Sequence, residues 1–263
     1  VSSLDKLYFK NIKNVIIEAS SHGLDQFRLD GIKFNIVVIT SLSRDHLDYH
    51  KNFVNYKKSK IRLFSDFAKN GIAIINDNIK CSSEFIEAAK LNNLRVITIG
   101  ESSSAKLQYK LKNFSNKLQK IEITYKKTTS IIFSKLIGNF QINNLITAIA
   151  IMIEMGFNRK KIEKFAVNLK PPPGRLEHIK STKGADVYVD FAHTPDAFEN
   201  VLISIRPYVK NKLYLVFGCG GNRDKGKRSL MGQIAYKYAD IVTVTDDNPR
   251  FENAASIRKE IIQ

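Results

Sequence analysis

The sequence predicts an α/β protein of two consecutive parallel-sheet domains, the first carrying a small antiparallel meander. Three observations predict it. Short apolar runs of strand length alternate with amphipathic stretches of helix length along most of the 263 residues. Polar clusters rich in acids, imidazoles and glycine recur where those apolar runs end, which is where open α/β sheets hold ligands. A proline run, Lys170-Pro171-Pro172-Pro173-Gly174, interrupts the pattern once, and the alternation restarts beyond it. Residues 1–170 and 171–263 are therefore expected to be separate domains.

In order, Val15-Ile16-Ile17 reads as a short buried strand ending in Glu18-Ala19-Ser20-Ser21-His22-Gly23. The run 35–40 is a second strand. It opens the richest stretch of the chain, Thr40 to Lys60, which holds Arg44, Asp45, His46, Asp48 and His50. A helix follows with Phe53, Tyr56, Lys60, Phe64 and Phe67 on one stripe at three- and four-residue spacing. A lysine in an apolar stripe either snorkels to water or has a task there. Strands are expected at 71–76 and 94–99, with a Ser-capped helix over 82–91 between them. Period-two alternation at 107–111, 120–125 and 130–133 predicts the meander. An apolar helix from Gln141 to near Gly156 and an amphipathic one over 159–169 close the domain. Beyond the prolines, strands at 187–190, 213–217 and 241–245 alternate with helices at 195–205, around 230–238 and from Ala254. That makes only three strands before Gln263, so the second domain reads as partial.

Composition narrows the function. A hydrophobic content of 43% with mean hydropathy −0.21 suits a globular protein, and no apolar run approaches the ~20 residues of a membrane span. The N-terminus lacks the charged and apolar regions of a signal peptide, and Val1 in place of Met suggests a chain that begins inside a longer one. Cys81 and Cys219 form no CxxC, so neither a disulfide framework nor a zinc site is indicated, consistent with a reducing cytoplasm. The net charge is +17, of which residues 1–172 carry +14 (28 Lys/Arg against 14 Asp/Glu). The lysines (Lys106, Lys110, Lys112, Lys117, Lys120, Lys126, Lys127) are scattered and not interleaved with aromatics, which argues for solvated faces or an anionic small substrate over nucleic acid.

Five clusters at strand ends could carry chemistry: Glu18–His22, Thr40–His46, Asp190–His193, Gly218–Asp224 and Asp246–Arg250. Glu18 and His46 could bind a divalent cation, or could be a helix-capping acid and a core histidine. Gly218-Cys219-Gly220-Gly221 resembles a phosphate loop, or is a tight turn. Asp247-Asn248-Pro249-Arg250 is turn chemistry, or aims a guanidinium at a carboxylate. No GxxxxGK[ST] loop occurs in the chain.

Taken together, EASSHGLDQFR (18–28), TSLSRDHLDYH (40–50), the Lys60 helix, GRLEHI (174–179), DFAHTPDAFE (190–199), VFGCGGNRDKGKR (216–228) and TDDNPR (245–250) resemble, in order and spacing, the Mur ligases of peptidoglycan synthesis. The resemblance covers essentially the whole chain. It implies an ATPase-type central domain, lacking its N-terminal part and phosphate loop, followed by a partial Rossmann-like C-terminal domain. It implies a cytoplasmic, monomeric enzyme that uses ATP and Mg2+ to join an amino acid to the D-glutamate of a UDP-N-acetylmuramoyl-dipeptide through an acyl phosphate, with no nucleic-acid partner. By resemblance Glu18, His46 and Lys60, the last as a carbamate, are the catalytic and metal-holding residues. Ser20, Gln26 and Arg28 contact the muramoyl-dipeptide; Asn144, Arg175, Asp190 and His193 face the nucleotide. Arg223, Asp247, Asn248, Pro249 and Arg250 form the amino-acid site, where DNPR implies meso-diaminopimelate. The alternatives are a lysine-adding relative and a non-catalytic binding module; the isolated piece is expected to be inactive. Ser41, Gln141 and Asn222 depart from the family pattern.

Overall fold

The computed structural model describes residues 2–115, 118–182 and 184–263; Lys117 lies outside them. The chain enters through α1 (Ser2–Phe9) and α2 (Ser21–Asp25) and continues through β1 (Ile36–Ile39), α3 (Leu47–His50), α4 (Phe53–Ser65), β2 (Ile72–Asn76), α5 (Ser82–Leu91) and β3 (Arg95–Gly100). The meander β4 (Leu107–Ser115), β5 (Leu118–Tyr125) and β6 (Thr128–Ser134) leads to α6 (Asn139–Glu154) and α7 (Arg159–Ala166). All six strands make one sheet in sequence order, with β1 to β4 parallel and β4 to β6 antiparallel. The meander is thus an extension of the parallel sheet, since β4 pairs with the end of β3 through Ile99 and Gly100.

Alternation along the strands divides the core in two, because successive side chains point to opposite faces. Ile74, Ile97, Ile99, Leu107, Ile121 and Ile123 pack under α6 and α7. Val37, Ile39, Ala73, Ile75 and Val96 pack under α4 and α5 with Tyr56, Phe64 and Phe85. Covering both faces explains why these strands read as near-continuous apolar runs.

Two expectations fail locally. Val15-Ile16-Ile17 is not a strand but an irregular run, with Ile16 95% exposed. Among the described residues no strand lies on the outer side of β1, so the run has no ladder to join and stays exposed to water. Helix α5 is not capped by serine either; Cys81 occupies the cap in a left-handed conformation with no side-chain cap bond.

In the second domain β7 (Glu177–Thr182) and β8 (Ala185–Val189) form an antiparallel hairpin, followed by α8 (Pro195–Ile205), β9 (Tyr214–Phe217), α9 (Lys227–Tyr238), β10 (Ile241–Val244) and α10 (Ala254–Ile262). Strand β9 pairs with β10 in parallel, whereas the strand expected at 187–190 pairs with β7 instead of joining them. Phe198, Leu202, Phe217, Met231, Ala235, Ile257 and Ile261 form the core. The helices α9 and α10 approach closely at Gly232, where a Cβ would sit 1.9 Å from the Ile261 carbonyl oxygen. Ile137 of the first domain packs with Leu176 and Ile205 of the second.

One ion-pair knot ties the sheet to its helical layer. The Glu154 side chain at the end of α6 is 2% exposed and meets Arg95, Lys126 (2.9 Å) and the Tyr125 hydroxyl (2.6 Å). Burial opposes its ionisation, but Arg95, Tyr125 and Lys126 outweigh that and hold its pKa at about 2. A carboxyl depressed in the folded state stabilises above its unfolded pKa and loses that contribution as pH falls through the folded value. Between pH ~4.5 and ~2 the wild type is therefore expected to lose on the order of 2 kcal/mol from this group, discounted for the exposed Arg95 and Lys126. Glu154→Gln should remove that slope in acid-unfolding curves; an identical slope in the variant would place the acid sensitivity elsewhere.

Candidate active site at the strand ends

The rim forms because parallel strands all end on one side. The loop after β1 carries Arg44 to His46 into α3, and α4 then returns Lys60 beneath it. Asn52 caps α4 by accepting from the Asn55 amide (2.9 Å). His46 sits at the N-terminus of α3 in a left-handed conformation, φ 53°, a backbone that non-glycine residues seldom adopt. Asp45 holds it there: one oxygen accepts from the His46 amide (2.8 Å) and the other lies 3.4 Å from His46 Nε2.

The run 17–28 meets this loop. The His22 ring centroid is 4.7 Å from His46, 4.2 Å from Tyr49 and 5.5 Å from His50. Ser20, expected at the substrate, caps α2 by accepting from the Gly23 amide (3.1 Å). Gln26 donates to the Tyr49 hydroxyl (3.0 Å), and Arg28 donates to Gln26 Oε1.

Lys60 is half-buried with Nζ 5.3 Å from the Tyr56 ring centroid. Burial lowers its pKa, and Asp45 and Glu18 only partly oppose this. Burial likewise lowers His46 and His50, against Asp45 and Asp25 respectively, and raises Tyr56 to about 12. Burial thus disfavours the charged forms of His46, His50 and Lys60. Glu18 faces Lys60 electrostatically but is itself exposed. Among the described residues no three His, Cys, Asp or Glu side chains are placed to hold a metal ion.

The second domain reaches the same rim. Arg44 donates to Asp224 through Nε (3.1 Å) and Nη2 (3.3 Å), Arg223 lies 3.8 Å from Asp48, and His193 Nε2 is 3.7 Å from Asp45. The His193 pKa is raised, chiefly by Asp45. Asp190 accepts from the amides of Leu176 (2.6 Å) and Ala192 (2.7 Å) and so fixes the GRLEHI turn; burial nevertheless raises its pKa. Arg175 stacks over Phe191 at 5.2 Å, and its carbonyl accepts from buried Gln141 (2.7 Å). Asn144 is exposed on α6.

The glycine loop and the DNPR turn interlock. Gly221 donates to the Asn248 carbonyl (2.9 Å), and Arg250 Nη1 donates to the Gly221 carbonyl (2.7 Å). Gly221 has to be glycine, since a Cβ would lie 1.8 Å from the Pro249 oxygen. Asp247 and Asn248 brace the turn by accepting from the amides of Asn248 (2.6 Å) and Arg250 (3.1 Å). Asn222 has φ 50°, a conformation asparagine tolerates well, and accepts from the Phe251 amide (3.0 Å). Arg228, 1% exposed, pairs with Glu252 (2.9 Å) and Glu260 (2.7 Å) and anchors the loop from below. The roles of Arg44, Tyr49, Asp224 and Arg228 escaped the sequence reading. The arginine–aspartate pair is 180 residues apart in sequence.

An α/β sheet domain with a second, smaller α/β domain facing its strand-end rim is the architecture of a two-domain ligand-binding enzyme. Residues 2–152 match the Mur ligase middle domain and residues 174–263 the Mur ligase, glutamate ligase domain. The chain belongs to the Mur ligase family. It is 42% identical over 275 residues to the UDP-N-acetylmuramoyl-L-alanyl-D-glutamate–2,6-diaminopimelate ligase of Rickettsia conorii, covering 100% of this chain and 56% of that protein. It is 38% identical over 266 residues to the ligase of that name from Bradyrhizobium diazoefficiens, covering 98% and 54%. A solved structure of a ligase of that name matches with a TM-score of 0.65 at 36% identity, over 94% of this chain and 50% of that one. The chain thus spans about half the length of the curated relatives it matches. Among the described residues no helix is long and apolar enough to cross a membrane.

Proposed function

We propose that this chain forms the middle and C-terminal parts of an ATP-dependent ligase that adds meso-diaminopimelate to the D-glutamate of UDP-N-acetylmuramoyl-L-alanyl-D-glutamate. The observation that carries this reading is the Arg250 turn, locked against the glycine loop beside Arg223. Diaminopimelate carries a second carboxylate at its far end, which a guanidinium holds bidentately, whereas the ammonium of lysine is repelled there. The names of the relatives support the same substrate.

In this reading ATP phosphorylates the D-glutamate side-chain carboxylate, the incoming amine attacks the acyl phosphate, and phosphate leaves the tetrahedral intermediate. The chain's residues position the two anions against each other. Gln26 and Arg28 orient the muramoyl-dipeptide, while Asn144, Arg175, Asp190 and His193 face the nucleotide. Holding amine and carboxylate together at the rim where the two domains meet is where much of the rate comes from.

The donor chemistry fits a hard divalent cation only once Lys60 is modified. Glu18 and His46 supply one carboxylate and one imidazole. Burial favours the neutral Lys60 amine, which reacts with CO2 to give a carbamate and a proton, and that carbamate is the missing anionic oxygen donor. Bound there, Mg2+ would offset the repulsion between polyphosphate and carboxylate.

The complete gene product should release phosphate only when ATP, the UDP-muramoyl-dipeptide and meso-diaminopimelate are all present. Equal or better turnover with L-lysine would move the assignment to the lysine-adding relative. No release with either amino acid would favour a binding module.

A further inference from the structure

We propose that Tyr49 is a positioning residue for the muramoyl-dipeptide, acting by fixing which way Gln26 presents its amide. The proposal rests on the reading above that Gln26 and Arg28 contact that substrate. It is carried by the direction of a hydrogen-bond chain that runs from Arg28 through Gln26 and Tyr49 to the Asp25 carboxylate. Asp25 accepts the Tyr49 hydroxyl at Oδ2 (2.9 Å), and its Oδ1 lies 3.2 Å from the Ser59 hydroxyl, whose one proton it shares with the Asn55 carbonyl (3.1 Å). Behind Ser59 lies buried His50, whose Nδ1 is 3.5 Å from Ser59 Oγ.

A phenol has one proton. Because a carboxylate only accepts when ionised, Tyr49 gives that proton to Asp25, and its oxygen can then only accept from Gln26. Gln26 must therefore turn its NH2 towards Tyr49 (3.0 Å) and leave its carbonyl oxygen for Arg28, which donates to it. Arg28, which has only donors, calls for the same state, so the amide is held in one orientation from both ends and the Tyr49 hydroxyl anchors it to Asp25. The phenol in turn is held by its ring, 4.2 Å from His22 and 4.7 Å from His50.

Tyr49→Phe removes only the hydroxyl and keeps this ring packing. In the complete protein we expect KM for the UDP-muramoyl-dipeptide to rise about five- to tenfold, the range of one lost neutral hydrogen bond. The KM values for ATP and diaminopimelate, kcat and the melting midpoint should stay near wild type. Direct binding of the UDP-muramoyl-dipeptide, measured calorimetrically on wild type and variant, should weaken in parallel. Asp25→Asn, which weakens the acceptor of the same proton, should shift the same KM in the same direction. Wild-type binding with an unchanged Tyr49→Phe variant overturns the proposal alone. So does a uniform rise in all three KM values, or a fall confined to kcat, since either assigns Tyr49 a general structural or chemical role. A wild-type protein that does not bind the UDP-muramoyl-dipeptide overturns the substrate reading, and the proposal with it.

Discussion

Replacing Lys60 with alanine in the complete protein should lower ligase turnover roughly 10²–10³-fold, the scale of removing one preorganised charged group from a reacting centre. The fold should survive. Lys60 is half-buried beside Tyr56, and truncating it removes a side chain whose charged form burial already disfavours. The informative measurement is rescue. If Lys60 acts as a carbamate, what the variant lacks is an anionic oxygen beside Glu18, and short carboxylates such as formate or acetate should restore part of the activity. If Lys60 acts as a cation, by neutralising phosphate charge, carboxylates will not help and added alkylamines will. Intact mass of the wild type is a poor substitute, because carbamates lose CO2 readily.

Substituting Arg250 by alanine should cost about 3 kcal/mol in kcat/KM for meso-diaminopimelate, roughly 100-fold, as a charge-assisted pair to a buried carboxylate does. Arg250 also holds the glycine loop through the Gly221 carbonyl, so part of the loss will be positional. Arg250→Lys separates the two. Lysine can still reach a carbonyl with one donor but cannot fork onto a carboxylate. A variant that keeps its melting midpoint and loses diaminopimelate in preference to L-lysine supports the specificity role. Equal losses for both amino acids would reduce Arg250 to a brace for the loop.

The elements with strong periodicity were legible in the sequence: the helix carrying Lys60, the parallel strands from Ile36 to Gly100, the meander and α6. Each is specified by side chains a few residues apart that share a face. Where the reading failed, the deciding partner lay far off or was absent. Val15–Ile17 has the composition of a strand but, among the described residues, no neighbour to pair with. The hairpin β7–β8 was half seen, because His178 and Lys180 break the apolar alternation that marks β8. At the site, Glu18, His46 and Lys60 stand out in the sequence as polar residues at a predicted strand end or in an apolar stripe. Tyr49 does not, since an aromatic near a helix end is ordinary until its hydroxyl is seen between Gln26 and Asp25. Nor could spacing reveal that Arg228 is a buried cation, because only the fold brings Glu252 and Glu260 to it.

The contacts between the two lips of the rim have an arrangement that matters beyond their strength. Arg44 meets Asp224 and Asp48 meets Arg223, so the sign order on one lip is the complement of that on the other. A chain with net charge +17 gives its halves no general reason to attract. Exposed pairs like these contribute little energy each. What they add is discrimination among poses: displaced so that Arg44 faced Arg223 and Asp48 faced Asp224, both contacts would repel. The pattern works as a key for alignment, favouring one registration of the lips over its displaced alternatives.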